Sequence, residues 1–547
     1  MKFLSKILVS LVIFFSVPVL AHAATYYPGD LNKDGKVDIA DYNLLKENFG
    51  KTGSGIVGDI DNNGKVNIFD YNILVENFGN CSEACPTPMP IPSGAPVVNV
   101  TVHSKNPGKT IAPDFVGLSD EARDIVTTIF DEKNSILVQL LKNLGPGTLR
   151  LGGITLELHT FWSRTVRVPR TSPDVTVIGT DLNRLFTFAQ KVGWKVILGL
   201  SFGHYDPAAA ADEAEYAVTN GGSSLLALEI GNEPDTYYEF TLRPLPYTYA
   251  SFRTEFEDYV QAINTRVPNA PIAGPDTCRA PTSLGWFSQF MTDKKPQVAL
   301  ATHHIYYLNA DASPDAPKYP SIKNMLSPSL ITGVTNEVDE LVKLAQIQNV
   351  PLQIDETNST GASGAAVPKA GVIDTFASAL WVTDYMYNLA EHGVRGVNIH
   401  GTFNCPVIYS PICIQKNTYT IRPIYYGMLF FSQAAKGQLV PVEIQSSVNV
   451  VAHASLDSDK NLRLTLINKD ITKNVAVQIK IDKSYSKANL MRLVAPSIDS
   501  TTGVTFGGSA VNSDGSWSPT VTEPVAKNGN TFQIALPAGS AAVVTFK

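Results

Sequence analysis

Short apolar runs alternate with longer amphipathic segments through the middle of the chain, from about residue 111 to residue 436. Eight of these runs have the length and composition of buried β-strands, and the segments between them have the three-to-four-residue apolar spacing of helices. The predicted strands are Phe115–Leu118, Thr148–Leu151, Lys195–Leu200, Leu226–Ile230, Ile272–Gly274, Val298–Thr302, Leu352–Ile354 and Gly396–Ile399. The clearest helical segments are Leu182–Val192, Phe252–Thr265, Glu337–Gln348 and Thr375–Glu391.

Eight strand–helix units in succession predict an α/β fold, a (β/α)₈ barrel of the TIM type. A doubly wound parallel sheet is the alternative that the same alternation allows. That alternative is disfavoured because no glycine-rich phosphate-binding turn follows the first predicted strand.

The pattern changes after residue 436. Residues 437–547 contain runs with a two-residue period, separated by turns rich in Gly, Ser, Asp and Asn. This pattern predicts an antiparallel β-sandwich. The runs are Asn449–Ala454, Leu462–Ile467, Val475–Ile481 and Ala541–Phe546.

A duplicated segment lies near the N-terminus. Residues 29–50 and 58–79 share most positions at an offset of 29, and each copy contains a 12-residue loop with oxygen-bearing residues at positions 1, 3, 5, 7, 9 and 12. This spacing is that of an EF-hand loop, which binds Ca²⁺, although position 12 is Asp rather than Glu. The first loop offers Asp30, Asn32, Asp34, the Lys36 carbonyl, Asp38 and Asp41; the second offers Asp59, Asp61, Asn63, the Lys65 carbonyl, Asn67 and Asp70.

Each loop is followed by one helix-like stretch, Tyr42–Phe49 or Tyr71–Phe78, and no helical pattern precedes either loop. This arrangement, over residues 29–79, resembles a type I dockerin. The resemblance implies two structural Ca²⁺ ions and a cohesin-like protein as partner. The positions through which the family reads its partner are often Ser or Thr, but here they are Ile39-Ala40 and Ile68-Phe69. Docking of these apolar pairs on the same chain, or a calcium-stabilised spacer without a partner, are the alternatives.

The first 23 residues predict a secretory signal peptide. Lys2 and Lys6 precede an apolar run over 7–20, and Ala21-His22-Ala23 is an A-x-A cleavage pattern. A membrane anchor is the alternative, but the run is shorter than the roughly 20 residues that span a bilayer. We therefore expect a secreted or cell-surface protein with no membrane span after cleavage.

A proline-rich linker over 81–96 separates the repeat from the rest of the chain. The predicted domains are a signal peptide (1–23), a dockerin-like repeat (24–80), the linker, a barrel (97–436) and a sandwich (437–547). Export permits disulfides, and the predicted pairs are Cys81 with Cys85 and Cys405 with Cys413, which leaves Cys278 as a thiol. Metal-binding cysteine pairs are the alternative.

Composition excludes several classes of function. The chain has 547 residues, 43 Lys and Arg against 50 Asp and Glu, and a formal charge of −7, without any long basic run. This charge distribution is unlike that of a nucleic-acid-binding protein. Five cysteines are too few to build a disulfide scaffold, and 44% hydrophobic residues exclude a mostly disordered chain.

Candidate chemistry lies where the predicted barrel strands end, since barrel enzymes place their active sites there. The polar residues at these ends are Glu121, Asn232-Glu233, His303-His304 with Tyr306, and Asp355-Glu356. Glycoside hydrolysis needs two carboxyl groups that flank one bond, and strands four and seven face each other across the pocket. We predict Glu233 as the acid/base, Glu356 as the nucleophile and Asn232 as a partner of the sugar 2-hydroxyl. A zinc site at His303-His304 is disfavoured because adjacent side chains on a strand point apart.

Several motifs together resemble glycoside hydrolase family 79, the family of microbial β-glucuronidases and heparanase-like enzymes. The motifs span the region from residue 97 to residue 547. They are Pro113–Ser119, Leu149–Gly153, Gly203–Pro207, Leu228–Asp235, Glu356–Ser359, Ala379–Tyr385, Val397–His400 and Tyr425–Gly427.

The resemblance implies a retaining mechanism with these roles for Glu233 and Glu356, no catalytic cofactor, and a glucuronic-acid-containing glycan as substrate. It also implies that a strand near Val97–His103, within 97–110, joins the sandwich. Family members hold the sugar carboxylate with tyrosine hydroxyls, for which Tyr306 and Tyr409 are the candidates; His304 and Glu121 complete the predicted substrate contacts. Exo-β-glucuronidase activity is the resulting prediction. The alternatives are another retaining β-glycosidase of the same barrel superfamily and a non-catalytic carbohydrate-binding or adhesion protein.

Overall fold

The computed structural model describes residues 27–33, 35, 37, 39–77, 88–279, 285–293, 298–361, 371–403, 408–416, 418–529 and 531–547. The chain divides into two compact units, Met1–Thr87 and Pro88–Lys547. The predicted signal peptide and the predicted Cys81–Cys85 pair lie outside the described residues. Within the described ranges, no helix has both the length and the apolar character needed to cross a membrane.

The N-terminal unit contains two short helices, Ile39–Asn48 and Ile68–Asn77, each directly after a loop of the duplicated segment. Its small core consists of two residue pairs related by the repeat, Val37 with Val66 and Leu45 with Leu74, all buried. The segment that follows the first helix contacts the second loop through a β-bridge between Thr52 and Lys65. Each helix begins three residues earlier than the sequence predicts, because position 10 of each loop already has helical backbone.

Eight parallel strands of the second unit close into a barrel, which confirms the predicted fold class. Each strand pairs with its two neighbours in chain order, and the eighth pairs with the first. The barrel strands, one to eight, are Val116–Glu121, Gly147–Gly152, Trp194–Leu200, Leu225–Ile230, Ile272–Thr277, Leu300–Asn309, Leu352–Gly361 and Gly396–His400.

Helices surround the barrel because their apolar faces cover the outside of the strands. Gly179–Val192 buries Leu182, Leu185 and Phe186 against it and ends at Gly193, whose φ of +76° needs glycine. The α-helices of this unit are Ser135–Asn143, Ile154–His159, Gly179–Val192, Pro207–Gly221, Tyr249–Arg266, Trp286–Thr292, Ile322–Met325, Pro328–Ala345, Phe376–Glu391 and Pro423–Ala434. Short 3₁₀ turns are Ala122–Val126, Gly222–Ser224, Pro234–Thr236 and Gln346–Gln348.

Two strand pairs lie in loops around the barrel. Thr160–Ser163 pairs with Val175–Ile178 in the segment after strand two, and Ile412–Gln415 pairs with Thr418–Ile421 in the segment after strand eight. Cys413, in the second pair, is disulfide-bonded. Its predicted partner, Cys405, lies outside the described residues.

Barrel strands six and seven are longer than predicted. The sequence analysis ended them at Thr302 and Ile354, where the apolar runs stop, but both continue for seven more residues. The strands are paired along most of this extension, from Glu356 opposite His304 to Gly361 opposite Asn309. The extension places polar side chains of both strands inside the mouth of the barrel rather than on flexible loops.

The C-terminal part is a β-sandwich with a buried apolar core between two sheets. Val97–Val102 lies in the first sheet, where it pairs in parallel with Val475–Ile481 and antiparallel with Val442–Gln445. The first sheet has the order Val442–Gln445, Val97–Val102, Val475–Ile481, Thr531–Leu536 and Ala526–Asn528. The second has the order Gln438–Val440, Val450–Leu456, Leu462–Asn468, Ser540–Phe546, Ala488–Val494 and Thr505–Phe506, with Glu523–Pro524 beside Ala488–Val494.

A buried charged network joins the sandwich to the barrel helix Phe376–Glu391. Asp384 on that helix accepts hydrogen bonds from Lys469 Nζ at 2.6 Å and His453 Nε2 at 3.0 Å. The other ring nitrogen of His453 lies 2.8 Å from Glu391 Oε1. The His453 ring stacks on Tyr387, with centroids 4.5 Å apart. The helix that follows the seventh barrel strand is thus braced by side chains of the sandwich.

Candidate active site

The two predicted catalytic glutamates meet at the C-terminal mouth of the barrel. One carboxylate oxygen of Glu233 and one of Glu356 lie within 4.8 Å of each other, and a ring nitrogen of His304 lies within the same distance of both. Glu233 follows strand four and has a φ of +50°, so its backbone turns sharply into the 3₁₀ turn Pro234–Thr236. Its amide N–H donates to the Asp276 carbonyl at 2.9 Å, which secures this turn.

Glu356 lies within strand seven, and its side chain is 8% exposed. Tyr306 donates its hydroxyl hydrogen to Glu356 Oε1 at 2.8 Å, and Arg150 Nη1 donates to Oε2 at 2.6 Å. Both oxygens of the carboxylate are therefore held by a donor. The Arg150 guanidinium and the Tyr306 hydroxyl thus fix the orientation of the ionised carboxylate, as a nucleophile requires.

Arg150, from strand two, is the central cation of the site and is fully buried. Its Nε donates to Glu229 Oε2 at 2.7 Å, and its Nη2 donates to Asp276 Oδ2 at 2.7 Å. The same Nη2 donates to Asn232 Oδ1 at 2.8 Å. Arg150 therefore connects strands four, five and seven beneath the two glutamates.

His304, from strand six, lies between carboxylates. Its Nδ1 is 2.8 Å from Glu233 Oε1, and its Nε2 is 2.9 Å from Asp276 Oδ1. Burial alone would lower the pKa of His304, but the negative charges of Asp276 and Glu356 raise it well above its usual range. His304 is thus an imidazolium at neutral pH and donates through both nitrogens. The neighbouring His303 points the other way, to Thr277 Oγ1 at 3.0 Å, as alternation along a strand requires.

The charge of Glu356 is stabilised by its surroundings. Burial would raise the pKa of the Glu356 carboxyl, but electrostatic interactions with His400, His304 and Arg150 hold that pKa well below its usual range. The hydrogen bond from Tyr306 acts in the same direction. His400, at the end of strand eight, lies 3.7 Å from Glu356 Oε2 and 3.0 Å from Ser119 Oγ.

The structure brings Tyr306 and Tyr409 together near Glu356. Burial raises the pKa of the Tyr409 hydroxyl, the charge of Glu356 adds to this shift, and a hydrogen bond with Tyr306 opposes it. The loop that carries Tyr409 is fixed by Asn358, whose side-chain amide donates to the carbonyls of His400 at 2.6 Å and Tyr409 at 3.3 Å.

Two of the predicted substrate contacts have partners within the protein. Asn232 is buried, and its side-chain oxygen accepts the hydrogen bond from Arg150. Glu121 Oε2 accepts from the backbone N–H of Thr155 at 3.0 Å and from its hydroxyl at 2.5 Å. The Glu121 carboxylate thus satisfies an amide in the first turn of the helix Ile154–His159.

Sequence reasoning did not assign a role to Arg150, Asp276, Glu229 or His400. Arg150 is the one charged residue in the buried strand Gly147–Gly152, and a cation in a buried strand signals anionic partners. Glu229 is likewise the one charged residue in strand four, and its burial signals a cationic partner. Asp276 has a φ of +55° and lies near the end of strand five within a Pro-Asp-Thr sequence, which carries no separate chemical signal.

The aspartates at position 12 of the two duplicated loops make equivalent contacts with backbone amides. Asp70, at position 12 of the second loop, accepts from the amides of Ile60 at 2.7 Å and Asp61 at 3.1 Å, and from Asn67 at 2.9 Å. In the first loop, Asp41 accepts from the amides of Leu31 at 2.6 Å and Asn32 at 3.1 Å.

Carboxylate oxygens of the second loop converge. One oxygen each from Asp59, Asp61 and Asp70 lies within 4.8 Å of the other two. Ca²⁺ binds oxygens at about 2.3–2.6 Å, so such a cluster fits the ion. Of the predicted ligands of the first loop, Asp34, Lys36 and Asp38 lie outside the described residues.

Two segments of the chain match models of known protein families. Residues 452–543 match the family model described as the glycosyl hydrolase family 79 C-terminal beta domain. Residues 28–79 match the dockerin type I domain. The chain is 22% identical over 438 residues to a β-glucuronidase of Aspergillus niger, covering 68% of this chain and 78% of that protein.

A second relative is a β-glucuronidase of Neurospora crassa, 26% identical over 281 residues; the match covers 45% of this chain and 49% of that protein. Among solved structures, a 4-O-α-L-rhamnosyl-β-D-glucuronidase from Fusarium oxysporum has a TM-score of 0.68 and 19% identity, covering 82% of this chain and all of that chain. A GH51 arabinofuranosidase from Xanthomonas axonopodis has a TM-score of 0.62 and 15% identity, covering 83% of this chain and all of that chain. At these identities the structural likeness shows the fold alone.

These findings agree with the predicted resemblance to both families. The chain carries the C-terminal β domain of glycosyl hydrolase family 79 and a type I dockerin domain, and it is a glycoside hydrolase.

Proposed function

We propose that this protein is a secreted, retaining exo-β-glucuronidase that hydrolyses glucuronic-acid-containing glycans by double displacement. The observation that carries the proposal is the approach of the Glu233 and Glu356 carboxylates to within 4.8 Å. Retaining glycosidases place their two carboxyl groups about 5–5.5 Å apart, whereas inverting enzymes leave about 6.5–9.5 Å for a water molecule. The β-glucuronidase relatives support the choice of sugar.

In the first step, Glu356 attacks the anomeric carbon, and Glu233 gives its proton to the glycosidic oxygen as that bond breaks. The result is a glycosyl ester of Glu356 and a free aglycone. Glu356 suits this role because its low pKa keeps it ionised, and because Tyr306 and Arg150 fix its orientation. Glu233 suits its role because its side chain is 21% exposed, so it can reach a leaving group in the pocket.

In the second step, Glu233 takes a proton from water, the oxygen of that water attacks the anomeric carbon, and Glu356 leaves. His304 donates to Glu233 Oε1 in this arrangement, so the other oxygen is the one that carries the proton. No metal or organic cofactor enters either step.

We assign recognition of the sugar to the side chains that surround Glu356. The Tyr306 hydroxyl, on strand six, binds the nucleophile, and the Tyr409 hydroxyl, on the loop after strand eight, interacts with Tyr306 and with the charge of Glu356. They are candidates for binding the glucuronate carboxylate. Asn232, held by Arg150, faces the same centre from strand four, and this position supports its proposed contact with the sugar 2-hydroxyl.

We assign the dockerin domain the role of attaching the enzyme to a cohesin-like protein outside the cell, with two Ca²⁺ ions stabilising its loops. Ile68 and Phe69, at the partner-reading positions of the second loop, are 52% and 65% exposed. Exposed apolar side chains at these positions are typical of a surface that a partner protein covers.

The test is hydrolysis of a panel of chromogenic glycosides: β-glucuronide, β-glucoside, β-galactoside and β-xyloside. We expect turnover of the glucuronide and its loss in Glu233→Ala and Glu356→Ala, with Glu121→Ala as a matched carboxylate control that keeps activity above both. Turnover of a neutral glycoside would support the catalytic roles of the two glutamates but refute the glucuronide as the substrate. Equal activity of the wild type and Glu356→Ala would refute the mechanism.

A further inference from the structure

A buried pair of carboxyl groups lies beneath the two catalytic glutamates and takes no direct part in the proposed mechanism. The pair consists of Asp355, which precedes Glu356 on strand seven, and Glu229, on strand four; both are fully buried. Adjacent residues on a regular strand point to opposite faces. Here the pairing register of strand seven shifts between Gln353 and Glu356, and this irregularity lets Asp355 and Glu356 both face the interior.

Asp355 is surrounded by charged groups from four strands. One oxygen of Asp276, from strand five, lies within 4.8 Å of an Asp355 oxygen. Glu229, from strand four, interacts with Asp355 electrostatically. His304 Nε2 lies 3.9 Å from Asp355 Oδ1, and Arg150 interacts with it electrostatically. With Glu356, the cluster contains four carboxyl groups and two cations, Arg150 and His304.

The side-chain oxygens of Asp355 are buried without a donor from the described part of the protein. Among the described residues, no N–H or O–H group of another side chain or of the backbone donates to Asp355 Oδ1, Asp355 Oδ2 or Glu229 Oε1. Two ionised carboxylates in a buried site repel each other, and unpaired buried oxygens are costly. A single proton between the two groups removes both penalties, as in other buried carboxyl pairs.

We propose that Asp355 is a neutral carboxylic acid in the resting enzyme, that it shares its proton with Glu229, and that it positions the cations beneath the catalytic glutamates. The path is short. Asp355 interacts electrostatically with Glu229 and Asp276, Arg150 Nε donates to Glu229 Oε2, and Arg150 Nη1 donates to Glu356. Asp276 in turn binds His304, which contacts Glu233. Asp355 is thus a positioning residue and does not touch the substrate.

The electrostatics of the site agree with this assignment. Burial, assisted by the charges of Asp276 and Glu229, raises the pKa of Asp355 well above its usual range. For Asp276, burial acts in the same direction, but His304 and Arg150 outweigh it and lower the pKa. Two aspartates of one cluster are therefore held in opposite protonation states.

The first arm of the test compares Asp355→Ala with Asp355→Asn in the full chain, on the glucuronide substrate. An amide replaces a protonated carboxyl as a donor, whereas alanine does not. We expect Asp355→Ala to lose kcat by tenfold or more with little change in KM, in keeping with a lost buried hydrogen bond, and Asp355→Asn to recover most of that loss. The matched pair Asp276→Ala and Asp276→Asn, at an ionised carboxylate, should show no such recovery. Equal impairment of both Asp355 variants would overturn the proposal.

The second arm does not depend on activity, whereas the first rests on the proposed function. Infrared spectra of the full chain with carbonyl-labelled aspartate should show a protonated-carboxyl stretching band at neutral pH that is absent in Asp355→Asn. Asp120→Asn, at another buried aspartate with a raised pKa, serves as the control and should retain the Asp355 band. If Asp355→Asn does not fold, Glu229→Gln should shift the band to higher frequency. An unchanged spectrum would overturn the proposal; a changed spectrum without glycoside turnover would refute only the proposed function.

Discussion

The charged network between barrel and sandwich predicts a specific dependence of stability on pH. His453 is buried against Asp384 and Glu391. Burial alone would lower its pKa, but the charge of Glu391 and hydrogen bonds to both carboxylates raise the pKa from 6.5 to about 9. A raised pKa in the folded state means that the protonated histidine stabilises the fold below pH 6.5, and that this stabilisation is lost as the pH rises through 9.

The size of this stabilisation follows from the shift in the pKa of His453. Each pKa unit corresponds to about 1.36 kcal/mol, so protonation of His453 contributes roughly 3 kcal/mol below pH 6.5. His453→Gln keeps a polar side chain but cannot be charged. The difference in unfolding free energy between the wild type and His453→Gln should therefore shrink by roughly 3 kcal/mol between pH 6 and pH 9.5.

Equilibrium urea unfolding at several pH values measures this difference, with fluorescence as the probe because Trp381 is buried on the same helix as Asp384. Tyr387→Phe is the matched control. It removes the hydroxyl that lies 2.9 Å from Thr465 Oγ1 across the same interface, so its cost should not vary with pH in this range. A constant difference between wild type and His453→Gln from pH 6 to 9.5 would refute the reasoning.

Three further predictions concern other parts of the chain. Arg150→Met should lower kcat/KM by roughly 10- to 100-fold and move the acidic limb of the pH–rate profile to higher pH, because loss of the cation raises the pKa of Glu356; an unmoved limb would contradict this. Chelation of Ca²⁺, or Asp70→Ala, should abolish cohesin binding and unfold the helices of the dockerin unit, while glycoside turnover persists. Limited proteolysis of the full chain measures this unfolding as cleavage within the dockerin unit. Burial raises the pKa of the Cys278 thiol, so iodoacetamide at pH 7 should label it slowly, and Cys278→Ser should keep wild-type kcat; rapid labelling would contradict the raised pKa.

The barrel could be predicted from sequence because buried parallel strands are continuous apolar runs. The prediction ended strands six and seven too early for the same reason. His304, Asp355 and Glu356 interrupt the apolar pattern, yet the strands continue through them, because Glu356 binds Arg150 and His304 binds Asp276 inside the barrel. A polar residue within a strand therefore resembles the beginning of a loop when its partners lie far away in the sequence.

The candidate site was predictable in part. Glu233 and Glu356 stand out because each belongs to a motif at a strand end, and their mutual approach follows from barrel geometry. Arg150 and Asp276 did not stand out, since the importance of each depends on partners from other strands, 82 residues away in the sequence for the Arg150–Asn232 bond. The protonation of Asp355 depends on a strand irregularity that has no sequence signal.

The roles of the predicted substrate contacts depended on side-chain hydrogen bonds that sequence does not give. The sequence analysis predicts that Tyr306 contacts the sugar carboxylate, and in the structure its hydroxyl donates to Glu356. Glu121 ends a barrel strand as predicted, but its carboxylate binds the beginning of a helix at Thr155.

The central claim is that Glu356 becomes covalently bound to the sugar while Glu233 transfers protons. The most direct measurement is incubation of the full chain with a 2-deoxy-2-fluoro-β-glucuronide that has an activated leaving group, followed by intact mass and peptide mapping. We expect a stoichiometric glycosyl adduct on Glu356 that Tyr306→Phe still forms and Glu356→Gln does not. An adduct on another residue, or turnover of the natural anomer with inverted configuration and no adduct, would contradict the account.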